Sequence, residues 1–394
     1  MRILRDSVKV HGKRVLIRIV GNVPIKNGRA VDIGRHGKLA RAAVDLEWLR
    51  QRGAKVIIAT HLGRPEGRKI GAYSVKPVAR RLSELLGVKI KTIEAVTGTR
   101  VEKQVEQMKE GDLIMLENVR FDAREERNSP AFAHELATFS DMYVNDAFAV
   151  THRSHATVDA IAFELPAYAG PQLVQEVTVL QKVLHHPRHP FTLVIGGAKM
   201  ATKLPVLNQL LPHADNVLVG GALAHAFLRA RGVSLGASYV EESSVQIAKR
   251  LLRTYGEKIQ LPFDVLVANS WRNSAKIRYT SVDAIGSSER IVDIGRASAR
   301  QFSRSIQTSK MIVWNGPLGF CERPNFCKGT ELIARAIATR SGKATTVVGG
   351  GDTIPIIERL DLSDRYTLVS TGGGAMLEFL SGILLPGLEA LGYT

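Results

Sequence analysis

The sequence has few of the residues that staple small secreted proteins or cross membranes. Only two cysteines, Cys321 and Cys327, occur in 394 residues, which is too few for a disulfide framework. No His/Cys cluster with zinc spacing accompanies them, so we expect two free thiols in a reducing compartment. No apolar run approaches the ~20 residues that span a bilayer. The start of the chain also lacks the apolar core of a secretory signal, and we expect a cytoplasmic protein without membrane contact.

Acidic residues are scarce relative to basic ones. The chain has 54 Lys and Arg against 37 Asp and Glu, a formal net charge of +17, and residues 1–100 alone hold 23 basic and 7 acidic side chains. Three interpretations stay open: solvation of helix surfaces, attraction of a small acidic substrate, and contact with nucleic acid. Nucleic acid is the least favoured, because the segment has no interleaved aromatics, zinc-finger spacing or RNP-like strand.

The chain does have a series of short apolar runs, each followed by residues that suit an anion. In the second half these runs end in glycines, as in TLVIGGAK (192–199) and TTVVGGGDT (345–353). In the first half they end in His or Arg, as in VIIATHLGRP (56–65) and LIMLENVRF (113–121). A parallel strand followed by such a turn exposes ligand-binding groups at the carboxyl edge of a sheet. The pattern predicts two anion sites, one in each half, that face each other.

Length and periodicity predict the architecture. A chain of 394 residues exceeds what one hydrophobic core usually covers. Strand-like runs alternate with amphipathic helical ones, which is typical of βαβ units and mainly parallel sheets. FELPAYAGPQL (163–173), with two prolines and a glycine, looks like the connection between the halves. We expect an α/β protein with two Rossmann-like domains, parallel sheets flanked by helices and a hinge, divided into residues 1–167 with 380–394, and residues 168–379.

Eight motifs follow one another along the chain at strand ends. They are NVP (22–24), HLGRP (61–65), MLENVRF (115–121), NDAF (145–148), GGAK (196–199), WNGP (314–317), GGGDT (349–353) and STGGGA (370–375). In this order they resemble the phosphoglycerate kinase family, and the resemblance covers nearly the whole chain. It implies that family's fold and reversible phosphoryl transfer from 1,3-bisphosphoglycerate to MgADP, giving 3-phosphoglycerate and MgATP, as in glycolysis and gluconeogenesis. It also suggests a monomer.

The first half supplies the residues for the acid substrate. His61, Arg64, Arg120 and Arg153 all follow strand ends. Arginine binds carboxylate or phosphate through two parallel hydrogen bonds, so these residue types suit a phosphorylated acid. The resemblance implies that the four hold 3-phosphoglycerate and that Asn22 contacts its hydroxyl and carboxyl end. Taken one at a time, each arginine has surface or interdomain ion pairing as its alternative role.

The second half suits a nucleotide. Lys199 and Lys203 lie one helical turn apart after GGA, so both ammonium groups can reach one phosphate chain. By resemblance, Lys199 stabilises the transferring phosphoryl group and Lys203 binds near the α-phosphate, while Gly372 and Gly373 direct backbone N–H groups at the transferred group. The set expected to bind ATP or ADP is Gly196, Gly197, Ala198, Lys199, Lys203, Gly220, Gly221, Asn315, Pro317, Glu322, Gly349, Gly350, Gly351, Asp352 and Thr353.

Asp352 is the expected Mg²⁺ ligand, because Mg²⁺ favours carboxylate and phosphate oxygens. Its alternative role is to cap the helix expected to begin near Ile354, and it can serve in both. No Ser-His-Asp or paired-carboxylate site stands out. Its absence agrees with the implied chemistry, since a carboxylate is already ionised and needs no general base. The expected catalytic residues are Arg35, Lys199, Gly372 and Gly373.

The chain departs from the family mainly on the acid side. The family usually has Asp and Phe where this sequence has Val20 and Gly21. Losing a hydrogen bond to the substrate hydroxyl would weaken binding by roughly 0.5–3 kcal/mol. The family arginine that reaches the transferring group falls on Arg35 when counted forward from Pro24 and on Lys38 when counted backward from GAKV; we favour Arg35. Two other functions therefore stay open: a related kinase with a different carboxylate acceptor, and a nucleotide-binding regulatory protein.

Overall fold

The computed structural model describes residues 1–32, 37–272 and 275–394. The chain forms two compact units, residues 1–178 with 384–394 and residues 179–383. Each unit contains one six-stranded sheet with helices packed on it. The predicted α/β class with mainly parallel sheets is confirmed. None of the described helices is long and apolar enough to span a membrane.

The first unit is built from β1 to β8 and α1 to α7. The strands are β1 (Arg14–Arg18), β2 (Ile25–Lys26), β3 (Arg29–Ala30), β4 (Lys55–Ala59), β5 (Lys91–Thr92), β6 (Leu113–Met115), β7 (Met142–Asn145) and β8 (Ala167–Ala169). The helices are α1 (Lys38–Gln51), α2 (Lys76–Leu86), α3 (Thr99–Glu106), α4 (Ala123–Glu126), α5 (Pro130–Thr138), α6 (Ile161–Glu164) and α7 (Pro171–His185), the last of which runs into the second unit.

The sheet of the first unit has the order β5-β6-β4-β1-β7-β8, and all of its pairs are parallel. The side chains of β1 alternate between the two faces of the sheet, which explains why the strands of this sheet are continuous apolar runs in the sequence. Val15 and Ile17 pack in one core with Leu46 of α1, whereas Leu16 packs in a second core with Phe132 of α5. Because both faces are covered, the middle positions of such a strand are apolar in succession.

The second unit contains the remaining strands and, except for α15, the remaining helices. The strands are β9 (Phe191–Ile195), β10 (Asn216–Val219), β11 (Ile259–Gln260), β12 (Asp264–Ala268), β13 (Ile277–Ser281), β14 (Arg290–Ile294), β15 (Met311–Asn315), β16 (Thr345–Gly349) and β17 (Leu368–Ser370). The helices are α8 (Met200–Leu210), α9 (Gly221–Ala230), α10 (Glu242–Tyr255), α11 (Arg296–Thr308), α12 (Lys328–Ala338), α13 (Ile354–Arg359) and α14 (Gly374–Leu380), while α15 (Pro386–Glu389) belongs to the first unit.

The main sheet of the second unit is parallel, in the order β11-β10-β9-β15-β16-β17. A separate antiparallel sheet, β13-β12-β14, stands outside the βαβ alternation that the sequence predicts. The parallel order brings the ends of neighbouring strands to one edge, where the glycine-containing motifs follow. The topology therefore gathers motifs that lie far apart in sequence.

The structure contradicts one expectation about the cysteines. Cys321 and Cys327 are joined by a disulfide, so the prediction of two free thiols is wrong. Sequence spacing alone could not show this, because pairing requires the two Cβ atoms to approach closely. The 3-10 turn Pro324–Phe326 folds the intervening segment back on itself and brings the two sulfurs together.

Candidate active site

Adjacent strands of the first unit deliver the predicted basic residues to one edge of the sheet. His61 follows β4, Arg120 lies in a 3-10 turn after β6, and Arg153 follows the turn after β7. Strands β6, β4, β1 and β7 are neighbours in the sheet. His61 is 5% exposed and Arg120 is 2% exposed, and the positive charges of Arg120 and Arg153 both act on the His61 ring. These three side chains form a basic cluster.

Another cation, Arg18 at the end of β1, contacts the basic cluster and is missing from the sequence-based set. It is fully buried, its Nη2 atom lies 2.9 Å from His61 Nδ1, and its Nε donates to Thr157 Oγ1 at 3.0 Å. Thr157 in turn donates to buried Glu125 at 2.6 Å, so a carboxylate balances the buried charge. The signal in the sequence is an arginine inside the otherwise apolar run VLIRIV (15–20).

Arg120 has hydrogen-bonding capacity left over. Its Nη1 donates to Gly63 O at 2.9 Å, and its Nε lies 3.2 Å from a Glu126 carboxylate oxygen. Its Nη2 is buried and has no hydrogen-bond partner among the described residues. Burial lowers the pKa of Arg120 to about 10, with a further contribution from the charge of Arg153. A buried guanidinium with an unused donor is well suited to an anionic ligand.

The histidines near the basic cluster are neutral at neutral pH. Burial holds the pKa of His61 well below its usual value, and the neighbouring arginine charges lower it further. The same causes, burial first, lower the pKa of His152 to about 4 and that of His155 to about 3. The positive charge of the site therefore comes from arginine and not from histidine.

The remaining predicted residues on this side are distributed differently. Asn22 Oδ1 accepts from Gly63 N–H at 3.1 Å, so its side chain holds the turn of the HLGRP segment. Arg64 is exposed and makes no hydrogen bond or ion pair within the described part of the chain. Arg35 lies outside the described residues. Lys38 is the first residue of α1, and its Nζ donates to Asn22 O at 3.2 Å.

The unusual Val20 and Gly21 have a structural explanation. A Cβ atom at Gly21 would lie 2.5 Å from Thr60 Oγ1, and the backbone N–H of Gly21 donates to that same oxygen at 2.9 Å. Thr60 thus occupies the space that a side chain at position 21 would need. Val20 packs against an apolar group that includes Val150 and Val158. The side chain at position 20 therefore belongs to a small apolar core and is not directed at a polar ligand group.

In the second unit, three glycine loops approach one another through their backbones. A Cβ atom at Gly196 would lie 2.1 Å from Pro317 O, and one at Gly221 would lie 2.8 Å from the same oxygen. Gly221 and Gly316 also have φ angles of +62° and +89°, which other residues rarely adopt. Only glycine fits at these positions, and the packed loops leave their surface open to a ligand.

A pocket enclosing about 770 Å³, solvent at its mouth included, opens beside these loops. Six of the predicted nucleotide-binding residues line it, and the sequence analysis missed its aromatic members. Trp271 and Phe320 are exposed and have ring centroids 4.8 Å apart. The six predicted lining residues are Gly197, Ala198, Gly221, Pro317, Glu322 and Asp352. Large exposed aromatics at a pocket are suited to stacking on a planar ring.

A second group of predicted residues forms a hydrogen-bond network after β15 and β16. Lys203 Nζ donates to Asn315 Oδ1, and Asn315 Nδ2 donates to Gly349 O at 3.0 Å. The backbone N–H of Gly316 donates to Thr353 Oγ1 at 2.9 Å. Burial lowers the pKa of Lys203, and the nearby charge of Asp352 opposes that shift. The structure therefore brings Lys203, Asn315 and Asp352 close together.

The other predicted catalytic residues of this unit are more exposed or purely backbone. Lys199 is exposed and precedes α8 as its N-cap residue. The N–H of Gly372 donates to Ser370 Oγ at 3.2 Å, and Gly373 has a φ of +51° just before α14. Gly220 follows β10 and Gly350 follows β16, and Gly351 is exposed with open space where a Cβ would be.

Asp352 fits a Mg²⁺ ion held jointly with a nucleotide. It is exposed and lines the pocket, and Thr353 rather than Asp352 is the N-cap residue of α13. No group of three or more His, Cys, Asp or Glu side chains suited to a metal occurs among the described residues. Mg²⁺ commonly binds through one or two carboxylates plus substrate phosphates, and a single carboxylate at a phosphate-binding edge matches that pattern.

Comparison with known proteins points to one family. The family model described as "Phosphoglycerate kinase" matches residues 5–383. The phosphoglycerate kinase of Rubrobacter xylanophilus is 45% identical over 390 residues, covering 99% of this chain and 98% of that protein. The one from Thermomicrobium roseum is 43% identical over 394 residues, covering 99% of both.

Solved structures agree with the sequence comparison. Phosphoglycerate kinase from Coxiella burnetii matches with a TM-score of 0.85 and 36% identity, covering 98% of this chain and 97% of that one. The enzyme from Pyrococcus horikoshii matches with a TM-score of 0.88 and 32% identity, covering 100% of this chain and 98% of that one. Similarity of this extent includes both compact units.

Proposed function

This chain belongs to the phosphoglycerate kinase family, and from that premise we propose how its own residues carry out the family's reaction. The protein is a phosphotransferase with a carboxyl group as acceptor, and it transfers a phosphoryl group reversibly between 1,3-bisphosphoglycerate and ADP. The observation that carries the assignment of residues is the convergence of Arg18, Arg120 and Arg153 on His61 in one unit. Such crowding of like charge is costly unless an anion occupies the site.

The basic cluster binds 3-phosphoglycerate in this proposal. Arg120 uses its free Nη2, and Arg153 and exposed Arg64 supply further donors to phosphate or carboxylate oxygens. Neutral His61 donates through Nε2 when Arg18 donates to its Nδ1. Asn22 orients the acid end, and Arg35 reaches the transferring group. The excess of donors over acceptors supports an anionic ligand over a neutral one.

The glycine-lined pocket binds the adenine nucleotide. The base lies against the apolar and aromatic wall, Glu322 contacts the ribose hydroxyls, and Lys203 contacts the α-phosphate region. Backbone N–H groups of the glycine loops bind phosphate oxygens. Asp352 would hold a Mg²⁺ ion whose charge neutralises the nucleotide phosphates.

The transfer step requires alignment rather than proton transfer. In the direction of ATP synthesis, a β-phosphate oxygen of ADP forms a bond to the acyl phosphorus while the bond from phosphorus to the carboxyl oxygen breaks. The leaving group is a carboxylate, which is stable without a proton. Lys199, Arg35 and the N–H groups of Gly372 and Gly373 stabilise charge on the phosphoryl oxygens in flight.

Several broader features belong to the same proposal. We assign the acid site to residues 1–167 with 380–394 and the nucleotide site to 168–379, and the compact units support this division. Phosphoryl transfer requires the two ligands to meet with water excluded, so hinge closure accompanies catalysis. We further propose a monomer that works in the cytoplasm, which size-exclusion chromatography and cell fractionation test.

A coupled assay with 3-phosphoglycerate and MgATP tests the proposal. We expect turnover that Lys199→Ala reduces mainly in kcat and Arg64→Ala reduces mainly through the KM for phosphoglycerate. Lys249→Ala and Arg127→Ala, at exposed positions of the two units, are matched controls. Tight nucleotide binding without turnover would contradict the acid-site assignment. Salt-dependent oligonucleotide binding without turnover would favour the alternative of a nucleotide-binding regulatory protein.

Val20 provides a finer test of the acid site. The family carboxylate that would accept from the substrate hydroxyl is absent, and Val20 packs into an apolar group. We expect the KM for 3-phosphoglycerate to exceed that of relatives with Asp at this position. Val20→Asp should lower it if the hydroxyl is bound here, whereas Val20→Ala should not.

A further inference from the structure

The disulfide lies in the segment that forms one wall of the nucleotide pocket. Cys321 and Cys327, the only cysteines of the chain, are bonded across a sequence separation of 6. Phe320 and Glu322, on either side of Cys321, both line the pocket. The bond therefore closes a small ring, residues 321–327, that includes a proposed ribose-binding residue. We call this segment the cysteine loop.

The two sulfurs have different surroundings. Cys321 is 9% exposed, whereas Cys327 is fully buried. Cys327 is the N-cap residue of α12, an 11-residue helix, and the Nη2 of Arg359 lies 3.7 Å from its Sγ. Arg359 also donates to Glu331 Oε1 at 3.0 Å, so the guanidinium is held in place beside the sulfur. A helix N-terminus and a neighbouring arginine both stabilise a thiolate.

Both ends of the cysteine loop are tied to the pocket. Phe320 N–H donates to Val292 O at 2.7 Å, and its ring packs on Trp271. At the other end, Asp293 accepts from Gly329 N–H at 2.6 Å and from Thr330 Oγ1 at 3.0 Å. Val292, Asp293 and Trp271 all line the pocket. A change in the loop therefore reaches groups that face the nucleotide.

We propose that the cysteine loop is a thiol–disulfide exchange site whose bonded form holds the nucleotide wall in its binding conformation, and whose substrate is a dithiol reductant. The proposal about affinity rests on the proposed nucleotide site, whereas the exchange chemistry does not. Cys321, the less buried of the two cysteines, is the point of attack. Cys327, beside Arg359 at the start of α12, is the leaving group.

The exchange takes place in two steps. A thiolate of the dithiol attacks Cys321 Sγ, a mixed disulfide forms, and Cys327 leaves as a thiolate. The second thiol of the reductant then attacks the reductant sulfur that is bonded to Cys321, and Cys321 is released as a thiolate. The reductant is oxidised to a cyclic disulfide, and the protein gains two electrons and two protons. Rates of this kind depend on the stability of the leaving thiolate and on access to the attacked sulfur.

The chemistry is tested by thiol titration and mass spectrometry. Protein purified without reductant should contain no free thiol in the native state, and treatment with dithiothreitol should release two and add two mass units. With glutathione disulfide, Cys327→Ser should form a mixed disulfide at Cys321, while Cys321→Ser should react at least tenfold more slowly because Cys327 is buried. Two free thiols that resist oxidation by a cyclic dithiol disulfide would overturn the proposal.

The effect on affinity is tested by titrating nucleotide into the oxidised and reduced protein. Reduction should weaken ADP binding about three- to tenfold and leave 3-phosphoglycerate binding unchanged within twofold. The double variant Cys321→Ser/Cys327→Ser should bind like the reduced protein and ignore dithiothreitol. Equal ADP affinity in both redox states, with the thiol count changing as expected, would reject the role in binding while leaving the kinase assignment intact. Absence of ADP binding in either state would instead count against the proposed nucleotide site.

Discussion

The two proposed sites are built by opposite means. In the first unit, charged side chains converge, and Arg18 and Arg120 are buried at the proposed acid site. In the second, backbone loops converge, and Gly196 and Gly221 approach Pro317 too closely for any side chain. A site of the first kind depends on side-chain atoms that can bind the ligand. A site of the second kind depends on glycines, whose lack of a side chain lets the backbone loops pack closely. The same deletion or addition of a methyl group therefore has different consequences in the two units.

Net charge does not follow this division. The first unit has 29 basic and 22 acidic residues, and the second has 25 and 15, because the acidic stretch 101–178 offsets much of the basic segment 1–100. The larger surplus thus lies in the unit without the basic cluster. The local convergence of Arg18, Arg120 and Arg153, and not overall charge, makes the proposed acid site cationic. This outcome weakens substrate attraction as the explanation for the +17 charge.

The largest effect should come from removing a side chain in the first unit. Arg120→Met deletes a buried guanidinium with a free donor. We expect kcat/KM for 3-phosphoglycerate to fall roughly 150-fold, which corresponds to a loss of about 3 kcal/mol of transition-state stabilisation. Calorimetry should show ADP binding unchanged. Arg127→Met, at an exposed position, is the control. If Arg120→Met and Arg127→Met both reduced kcat/KM by the same small factor, the basic cluster would not be the acid site.

Adding a methyl group in the second unit should be the next largest effect. Gly196→Ala places a Cβ atom 2.1 Å from Pro317 O, and relief of that clash must move a nucleotide loop. We expect ADP affinity to fall by about 2 kcal/mol, roughly 30-fold, with phosphoglycerate binding retained. Gly71→Ala, where a Cβ meets nothing within 4 Å, is the control. Normal ADP affinity in Gly196→Ala would contradict the backbone-built site.

The first unit should lose stability in acid. The unfolded chain binds a proton at His155 near pH 6.5, whereas the native state does so only near its pKa of about 3. The free energy of unfolding should therefore fall by about 1 kcal/mol per unit as the pH drops below 6.5. Urea unfolding at several pH values measures this slope. His155→Gln should reduce it, and His186→Gln, at an exposed site, should not.

The second unit should show a slope of opposite sign, and a slightly smaller one. Burial raises the pKa of Asp293 to about 7, so the native state keeps a proton that the unfolded chain loses near 3.8. Stability from this group should fall as the pH rises from 4 to 7, by about 1 kcal/mol per unit at most. Asp293→Asn should abolish that slope, whereas exposed Asp283→Asn should keep it. An unchanged slope in Asp293→Asn would show that the carboxyl is already ionised.

Much of the fold was predictable because its signals are local. Apolar runs bounded by turn residues mark β1, β4, β9 and β15, and each motif follows its strand directly in sequence. The antiparallel sheet β13-β12-β14 was not predictable, because one of its strands, β13 (IRYTS), is mostly exposed and has no apolar run. Arg18 was overlooked because a charge within a strand has meaning only when its buried partners are known.

The sequence alone determined which chemical groups stand at which strand ends, since a strand and the turn after it are neighbours along the chain. It therefore determined that one half carries arginines and the other glycines. Tertiary structure alone decided the pairing of Cys321 with Cys327, the lowered pKa of His155 and the exclusion of a side chain at Gly21 by Thr60. Each depends on atoms from separate segments meeting in space, and the free energy of such contacts depends on distance and burial that the order of residues does not specify.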